Sequence, residues 1–157
     1  KPYVYFGDGE LTQCNPISEK DLSLFILSCI RDKNKWKKIL PIGGPNQSLT
    51  PKNVGEMLFK IFEVTPKYRS FPTKILDVIG LFFLIGSPFS NWAKNKLELI
   101  KIAKYYATES MLAWDEDKMS YDALKTPSTG NDTLEQYFYA IKEQKVELNI
   151  DRDSKLY

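Results

Sequence analysis

Apolar residues recur along this chain at helical spacing in several places. Leu22, Phe25, Ile26, Cys29 and Ile30 fall at i, i+3, i+4, i+7 and i+8, the pattern of one helix face. Ser18 ahead of them supplies an N-cap oxygen, and Glu19 and Asp21 place negative charge at the positive end of the helix dipole. A second stripe, Val54, Met57, Leu58, Ile61 and Phe62, opens behind Thr50 as N-cap and Pro51, whose fixed φ and missing N–H suit the first helical position. A third helix is predicted from Trp92 to about Tyr106, with Leu99, Ile100, Ala103 and Ala107 on one side. The last opens at Asp132 with Glu135 three residues in, a box-like cap, and carries Leu134, Tyr137, Phe138 and Ile141.

Extended segments lie between these stripes. Tyr3–Phe6 is β-branched and aromatic and runs into Gly7-Asp8-Gly9, a strand followed by a turn. Ile39–Ile42 reads as a short buried strand stopped by Gly43-Gly44-Pro45, and Thr65 to Phe71 as an extended piece between Pro66 and Pro72. Ser110 to Trp114 reads as an extended edge before the acidic turn Asp115–Asp117, and Arg31 to Lys38 as a solvated basic loop. From Lys142 the apolar pattern thins, so 142–157 is expected to be exposed. The pattern predicts one domain, residues 1–157, with four helices and three or four short strands: an α+β or partial α/β piece.

Ile75 to Ile85 breaks the pattern by being apolar on all sides, with only Asp77 and Gly80 interrupting it. Spanning a bilayer takes about 20 residues, which this segment does not reach. It is expected to be a wholly buried core helix. The alternative is docking to a membrane surface or an apolar partner, because Trp92 with Lys94 and Lys96 follows, a pairing common at such interfaces.

Composition narrows the chemistry. A net charge of +2 gives little drive toward nucleic acid, so no nucleic-acid partner is expected. The chain contains no histidine, which removes Ser-His-Asp and Cys-His catalysis and histidine metal sites. Cys14 and Cys29 are too few for a zinc or iron–sulfur site, so no metal is expected, and Cys29 reads as a buried, inert thiol.

Neither Gly7-Asp8-Gly9 nor Gly43-Gly44-Pro45 has the dinucleotide GxGxxG spacing or a Walker lysine, so both read as tight turns. Asp8 and Glu10 are weak candidates for acid–base work, and capping accounts for Glu19 and Asp21. Tyr105 and Tyr106 lack the lysine four residues on that tyrosine-dependent reductases use, having Glu109 and Ser110 there. Tyr121 has Lys125 at that spacing, but beside an acidic turn that reads as surface coil. Thirteen per cent aromatic residues suits a dense core or a pocket for a flat apolar ligand.

Three stretches nevertheless carry a resemblance. The segment from Pro2 through Tyr3-Val-Tyr-Phe-Gly-Asp-Gly-Glu-Leu-Thr-Gln-Cys-Asn-Pro-Ile-Ser-Glu-Lys-Asp to Leu22 resembles the one that follows the nucleotide-binding half of divinyl chlorophyllide 8-vinyl reductases. Leu40-Pro-Ile-Gly-Gly-Pro45, with Leu49-Thr-Pro51 and Gly55-Glu-Met-Leu-Phe59, is similar to their next block. Tyr105-Tyr-Ala-Thr-Glu-Ser-Met111, Lys125-Thr-Pro-Ser128 and Gly130-Asn-Asp-Thr-Leu-Glu135 are similar to their end. Two positions depart from the family pattern: Asn15 where a basic residue is expected and Thr129 where an aromatic one is.

The resemblance implies an α/β fold, the C-terminal part of an atypical short-chain dehydrogenase/reductase. It would comprise the last Rossmann strand (around Leu40 to Ile42), neighbouring helices and a small α+β substrate lobe. The cofactor half and the catalytic tyrosine–lysine region would lie upstream, so no residue here is assigned as catalytic or cofactor-binding. The implied reaction is NADPH-dependent reduction of the 8-vinyl group of divinyl chlorophyllide or protochlorophyllide to ethyl, in the chloroplast stroma or at the thylakoid surface. Phe6, Asp8, Glu10 and Asn15 are the expected substrate-pocket rim, by analogy of fold. The alternative is a reductase-derived, non-catalytic subunit that binds or scaffolds a thylakoid pigment–protein complex, with Ile75–Ile85 meeting the membrane surface, a photosystem or antenna proteins.

Overall fold

Ser18 and Thr50 cap their helices as their positions predict. In the computed structural model, which describes residues 1–144, Ser18 Oγ accepts from the Asp21 N–H at 3.0 Å, and α1 spans Glu19–Arg31. Thr50 Oγ1 accepts from Asn53 N–H at 3.1 Å while Asn53 Oδ1 accepts from Thr50 N–H at 3.1 Å. This reciprocal pair opens α2, Pro51–Phe62. Glu63, with φ 55°, ends α2 in the left-handed region.

Around these helices stand β1 (Tyr3–Phe6), β2 (Tyr68–Phe71), α3 (Lys74–Gly86), α4 (Asn91–Thr108), β3 (Ala113–Asp115), β4 (Ser120–Asp122) and α5 (Leu134–Lys142). A single 3₁₀ turn, Lys33–Lys35, folds the basic connection back on α1: Trp36 Nε1 donates to the Cys29 carbonyl at 2.9 Å and Lys35 lies over the Phe25 ring. The fold is mixed α/β, with two two-stranded sheets among the described residues. β1 pairs in parallel with β2, Tyr3 opposite Tyr68 through Phe6 opposite Phe71, and β3 pairs antiparallel with β4. Tyr68 of β2 meets the rings of Tyr3 and Tyr5 on β1 at 6.5 and 5.8 Å, and the edge contact of Phe59 with Tyr68 at 5.1 Å pins α2 to the parallel pair. Gly55 lets the α2 backbone approach, since a Cβ there would stand 2.8 Å from the Tyr3 ring.

Several expectations are corrected. Ile39–Ile42 is not a buried strand: no described strand runs beside it and Ile39 is 98% exposed. The segment pairs only beyond its end, through an isolated bridge from Gly43 to Ser128. Ile75–Ile85 is helical, as α3, but it is not a core helix, because of its residues only Leu76 is buried while Phe82 and Ile85 are 71% and 69% exposed. α1 forms where its periodicity places it, yet Leu22, Ile26 and Ile30 are exposed and Cys29 is half-buried. Tyr121–Lys125 is a surface turn only in its second part: Tyr121 and Asp122 lie within β4, the Tyr121 ring edge-on to Trp114 at 5.1 Å, while residues 123–125 form an exposed turn.

The last helix is capped by Thr133, not Asp132. Thr133 Oγ1 accepts from Gln136 N–H at 3.1 Å and Gln136 Oε1 accepts from Thr133 N–H at 2.9 Å. Asp132 is diverted because its carboxylate accepts from the Ser18 hydroxyl at 3.2 Å and pairs with Lys20 at 3.4 Å. Residues 142–144 are exposed, and the rest of the predicted exposed tail lies outside the described residues.

The interior is small and mixed. Ile61, Leu76, Ala93, Leu97 and Ala107 are its buried apolar side chains, and Thr12, Asp21, Thr50, Asp115 and Thr126 are buried polar ones. Buried polar groups require partners: Thr50 finds Asn53 in the first turn of α2 and Thr126 finds Ala113 and Asp122 on the β3–β4 pair, while Asp21 and Asp115 are met from the loops that join the elements.

Candidate functional site

The turn after β1 is built by glycine. Gly7 and Gly9 hold φ of 64° and 80°, which only glycine adopts without strain. Asp8 Oδ1 accepts from the Glu10 N–H at 2.8 Å, closing an Asx turn. The Gly9 carbonyl accepts from the Lys52 N–H at 3.0 Å, and Lys52 Nζ pairs with Glu10 at 2.8 Å, so the turn is fastened to the first turn of α2. The side-chain hydrogen bond to Glu10, and the charge of that carboxylate, push the Lys52 pKa up.

Beyond the turn, residues 13–15 act as a seam for three loops. Cys14 exchanges backbone hydrogen bonds with Leu49 at 3.0 and 2.7 Å. Gln13 N–H donates to Ser110 Oγ at 3.0 Å, the Gln13 carbonyl accepts from Met111 N–H at 2.8 Å, and Gln13 Oε1 accepts from the Ser48 hydroxyl at 2.9 Å. The Asn15 carbonyl accepts from Gly44 N–H at 3.1 Å, and Gly43 in turn exchanges bonds with Pro127 and Thr129, both at 2.9 Å. Burial pushes the Cys14 thiol pKa up, which makes it a poor nucleophile at neutral pH.

The Gly43-Gly44 pair is therefore a packing device rather than a left-handed turn. A Cβ on Gly44 would stand 1.7 Å from the Pro16 carbonyl oxygen, and one on Gly43 would stand 2.6 Å from Asn15 Nδ2 and 2.8 Å from Thr126 Cγ2. In this seam Asn15 Oδ1 is buried and has no hydrogen-bond partner among the described residues. A buried amide oxygen without a donor loses its hydration uncompensated, so a donor from a bound molecule has a reason to sit there.

The four expected rim residues thus divide. Phe6 (half-buried), Asp8 and Glu10 (both exposed) belong to the β1 turn, while Asn15 belongs to the seam. Among the described residues no hydrogen bond or ion pair joins Asp8 or Glu10 to Asn15.

Two buried carboxylates escaped the sequence reading. Asp21 does more than charge the helix N-terminus: its Oδ2 accepts from Asp132 N–H at 2.9 Å and Asn131 N–H at 3.0 Å. These bonds, the one to Asp132 first, hold its pKa below the usual carboxylate value against the opposing effect of burial. Gly130, φ 83°, leaves the room, since a Cβ there would fall within 2.1 Å of the Asp21 carboxyl.

Asp115, 1% exposed, is paired with Lys125 at 2.7 Å and accepts from Asp117 N–H at 3.0 Å. Lys125 is the main cause of its lowered pKa. Only the spacing of Asp115 and Lys125 about a turn-forming stretch hinted at this pair. Tyr121 is raised chiefly by burial, and also by hydrogen bonding with Tyr105 and Glu109.

Two open grooves lie elsewhere on the surface. One, of about 500 Å³, runs along α2 between Phe59, Glu63, Val64 and Tyr68. The other, of about 570 Å³, lies between Phe82, Ile85, Phe89 and Trp92 where α3 turns into α4. Among the described residues no group of three or more histidine, cysteine, aspartate or glutamate side chains is placed to hold a metal ion.

No family model matches the chain. Curated relatives do. The chain is similar to the chloroplastic divinyl chlorophyllide a 8-vinyl-reductase of Arabidopsis thaliana, 49% identical over 139 residues, which is 88% of this chain and 33% of that protein. It is 46% identical over 142 residues to the Zea mays protein of the same name, covering 90% of this chain and 35% of the relative. The Cucumis sativus protein of that name is 46% identical over 140 residues. The chain spans about a third of the length of the curated relatives it matches.

Proposed function

The chain belongs to the divinyl chlorophyllide a 8-vinyl-reductase family over the stretch it covers, and from that premise we propose that it is the substrate-side part of a plastid reductase. In the whole protein a divinyl tetrapyrrole gains one hydride and one proton, and its 8-vinyl group becomes ethyl. The observation that carries this reading is identity of 46 to 49% across 88 to 90% of the chain to four reductases of one name. Each of those names includes the word chloroplastic, which supports a plastid location.

Neither glycine pair singled out by the sequence fits a nicotinamide dinucleotide. Gly43 and Gly44 are filled against Asn15, Pro16 and Thr126, leaving no space for a pyrophosphate. Gly7 and Gly9 lead into a loop rather than a helix N-terminus, where such a group binds. NADPH, the hydride source in this proposal, is held by the remainder of the protein, in a Rossmann half of short-chain dehydrogenase type.

The exposed apolar stripe of α1 and the unpartnered Leu40–Ile42 stretch support that arrangement, since both need cover from outside the described residues. On the substrate side, Asn15 offers its free amide oxygen and Phe6 an aromatic face to the macrocycle. Asp8 and Glu10 shape the rim by closing and anchoring the turn. The test is turnover by the full-length protein carrying this chain. Divinyl chlorophyllide with NADPH should yield a product heavier by two hydrogens at the 8-position, and absence of that product in the folded protein refutes the reading.

A further inference from the structure

α3 and α4 form an antiparallel hairpin that packs chiefly on itself. Its register is fixed by three pairings. Asp77 is ion-paired with Lys104, Gly80 faces Ile100, and Gly86 faces Ala93. From Val78 to Ala93 the hairpin carries no charged residue. Its tip is apolar and open to solvent, with Phe82 71%, Ile85 69%, Phe89 90% and Trp92 63% exposed around the groove described above. Neither helix is long and apolar enough to cross a membrane.

Cationic groups begin where the apolar tip ends. Lys94 and Lys96 lie about 5 and 8 Å along the α4 axis from Asn91, at 1.5 Å per residue. Among the described residues neither has an ion-pair partner, whereas Lys101 and Lys104 are neutralised by Glu98 and Asp77. An interfacial helix buries its apolar part about 5–10 Å into the headgroup and acyl boundary, with Trp at the boundary and lysines on the polar side. The apolar tip, Trp92 and the two free lysines reproduce that order at that depth.

We infer that the tip of the α3–α4 hairpin docks the protein on an anionic lipid bilayer, inserting Phe82, Ile85 and Phe89 and setting Lys94 and Lys96 against the headgroups. The docking holds the protein at the surface without spanning it. It goes beyond the reductase reading and does not depend on it.

The test is cosedimentation of the full-length protein with phosphatidylcholine vesicles, with and without a minority of phosphatidylglycerol, across a salt series. Binding should require the anionic lipid and weaken as salt rises. Lys94→Gln with Lys96→Gln should lower partitioning about fivefold per lysine. Ile85→Ser with Phe89→Ser should lower it more than tenfold. Both pairs change exposed or half-exposed positions, and circular dichroism will verify that they fold. Four results would each overturn the inference: no vesicle binding by the parent protein, equal binding to neutral vesicles, unchanged binding of the serine pair, or hydrogen exchange showing the tip covered by the rest of the protein or by a second copy.

Discussion

Gly44→Ala is the sharpest perturbation of the seam on which the proposed substrate side is built. The added methyl would stand 1.7 Å from the Pro16 carbonyl oxygen, 2.6 Å from the Pro16 carbonyl carbon and 2.9 Å from Ile17 Cα, all backbone atoms that cannot rotate away. Real Cβ atoms keep at least 3.0 Å from such neighbours, so the two strands of chain must part by about 1.3 Å. Parting breaks the 3.1 Å bond from Gly44 N–H to the Asn15 carbonyl. Overpacking of this kind costs about 1–3 kcal/mol, and a buried amide pair left unmade adds about 1–3 kcal/mol.

The expected loss is about 3 kcal/mol, which at a urea slope of about 1–3 kcal/mol/M moves the unfolding midpoint down by about 1 M or more. Gly80→Ala is the control. Its Cβ would meet only Ile100 Cγ2, at an ordinary 3.6 Å, in the interior of α3. There alanine should gain about 0.5–1 kcal/mol from helix propensity, and the midpoint should rise. A Gly44→Ala protein that unfolds with its parent, or a Gly80→Ala protein that loses as much as Gly44→Ala, would refute the steric reasoning.

Other outcomes follow from the same contacts. Asn15→Leu removes a buried amide whose oxygen is unpartnered, so stability should change by less than about 1 kcal/mol. The KM for the divinyl substrate should meanwhile rise up to about tenfold, as steady-state kinetics would show. The Asp115 pKa is lowered in the folded state, so the stability it contributes is present above its unfolded value near 3.8 and lost as pH falls through the folded one. Thermal melts should therefore drop steeply below about pH 4, and Asp115→Asn should lower the melting temperature at pH 7 while flattening that acid limb. Cys14, its thiol raised by burial, should react with iodoacetamide at pH 7 more slowly than a free cysteine and faster once the protein is unfolded, which peptide mass mapping would read.

What could be read from the sequence was what is local. Caps such as Ser18 and the Thr50–Pro51 pair act within one turn, so their residues announce the helix start. The stripe from Leu22 to Ile30 locates α1 equally well, but periodicity says which face is apolar and not whether anything covers it. Ile75–Ile85 shows the same limit more strongly: apolarity on all sides suits a core, yet only Leu76 finds one. Ile39–Ile42 needs a neighbouring strand to be a strand, and no described strand runs beside it.

At the candidate site the missed features are contacts between residues far apart in sequence. Asp21 looked like a helix-end charge, because its acceptors' partners at Asn131 and Asp132 belong to the other end of the chain. Asp115 looked like surface, because Lys125 reaches it only once the β3–β4 hairpin has closed. Gly43 and Gly44 read as a tight turn, but their role, Gly44 pressed against the Pro16 backbone and Gly43 against Asn15 and Thr126, belongs to the packing.

The central claim is best tested by comparing the full-length protein and its Asn15→Leu variant on divinyl chlorophyllide with NADPH, following the 8-vinyl to 8-ethyl conversion by mass. The expected result is turnover by the parent and a raised KM in a variant whose stability stays within about 1 kcal/mol of the parent's. A folded parent that leaves the 8-vinyl group intact would contradict the reductase reading, and a variant with unchanged KM would contradict the place given to Asn15.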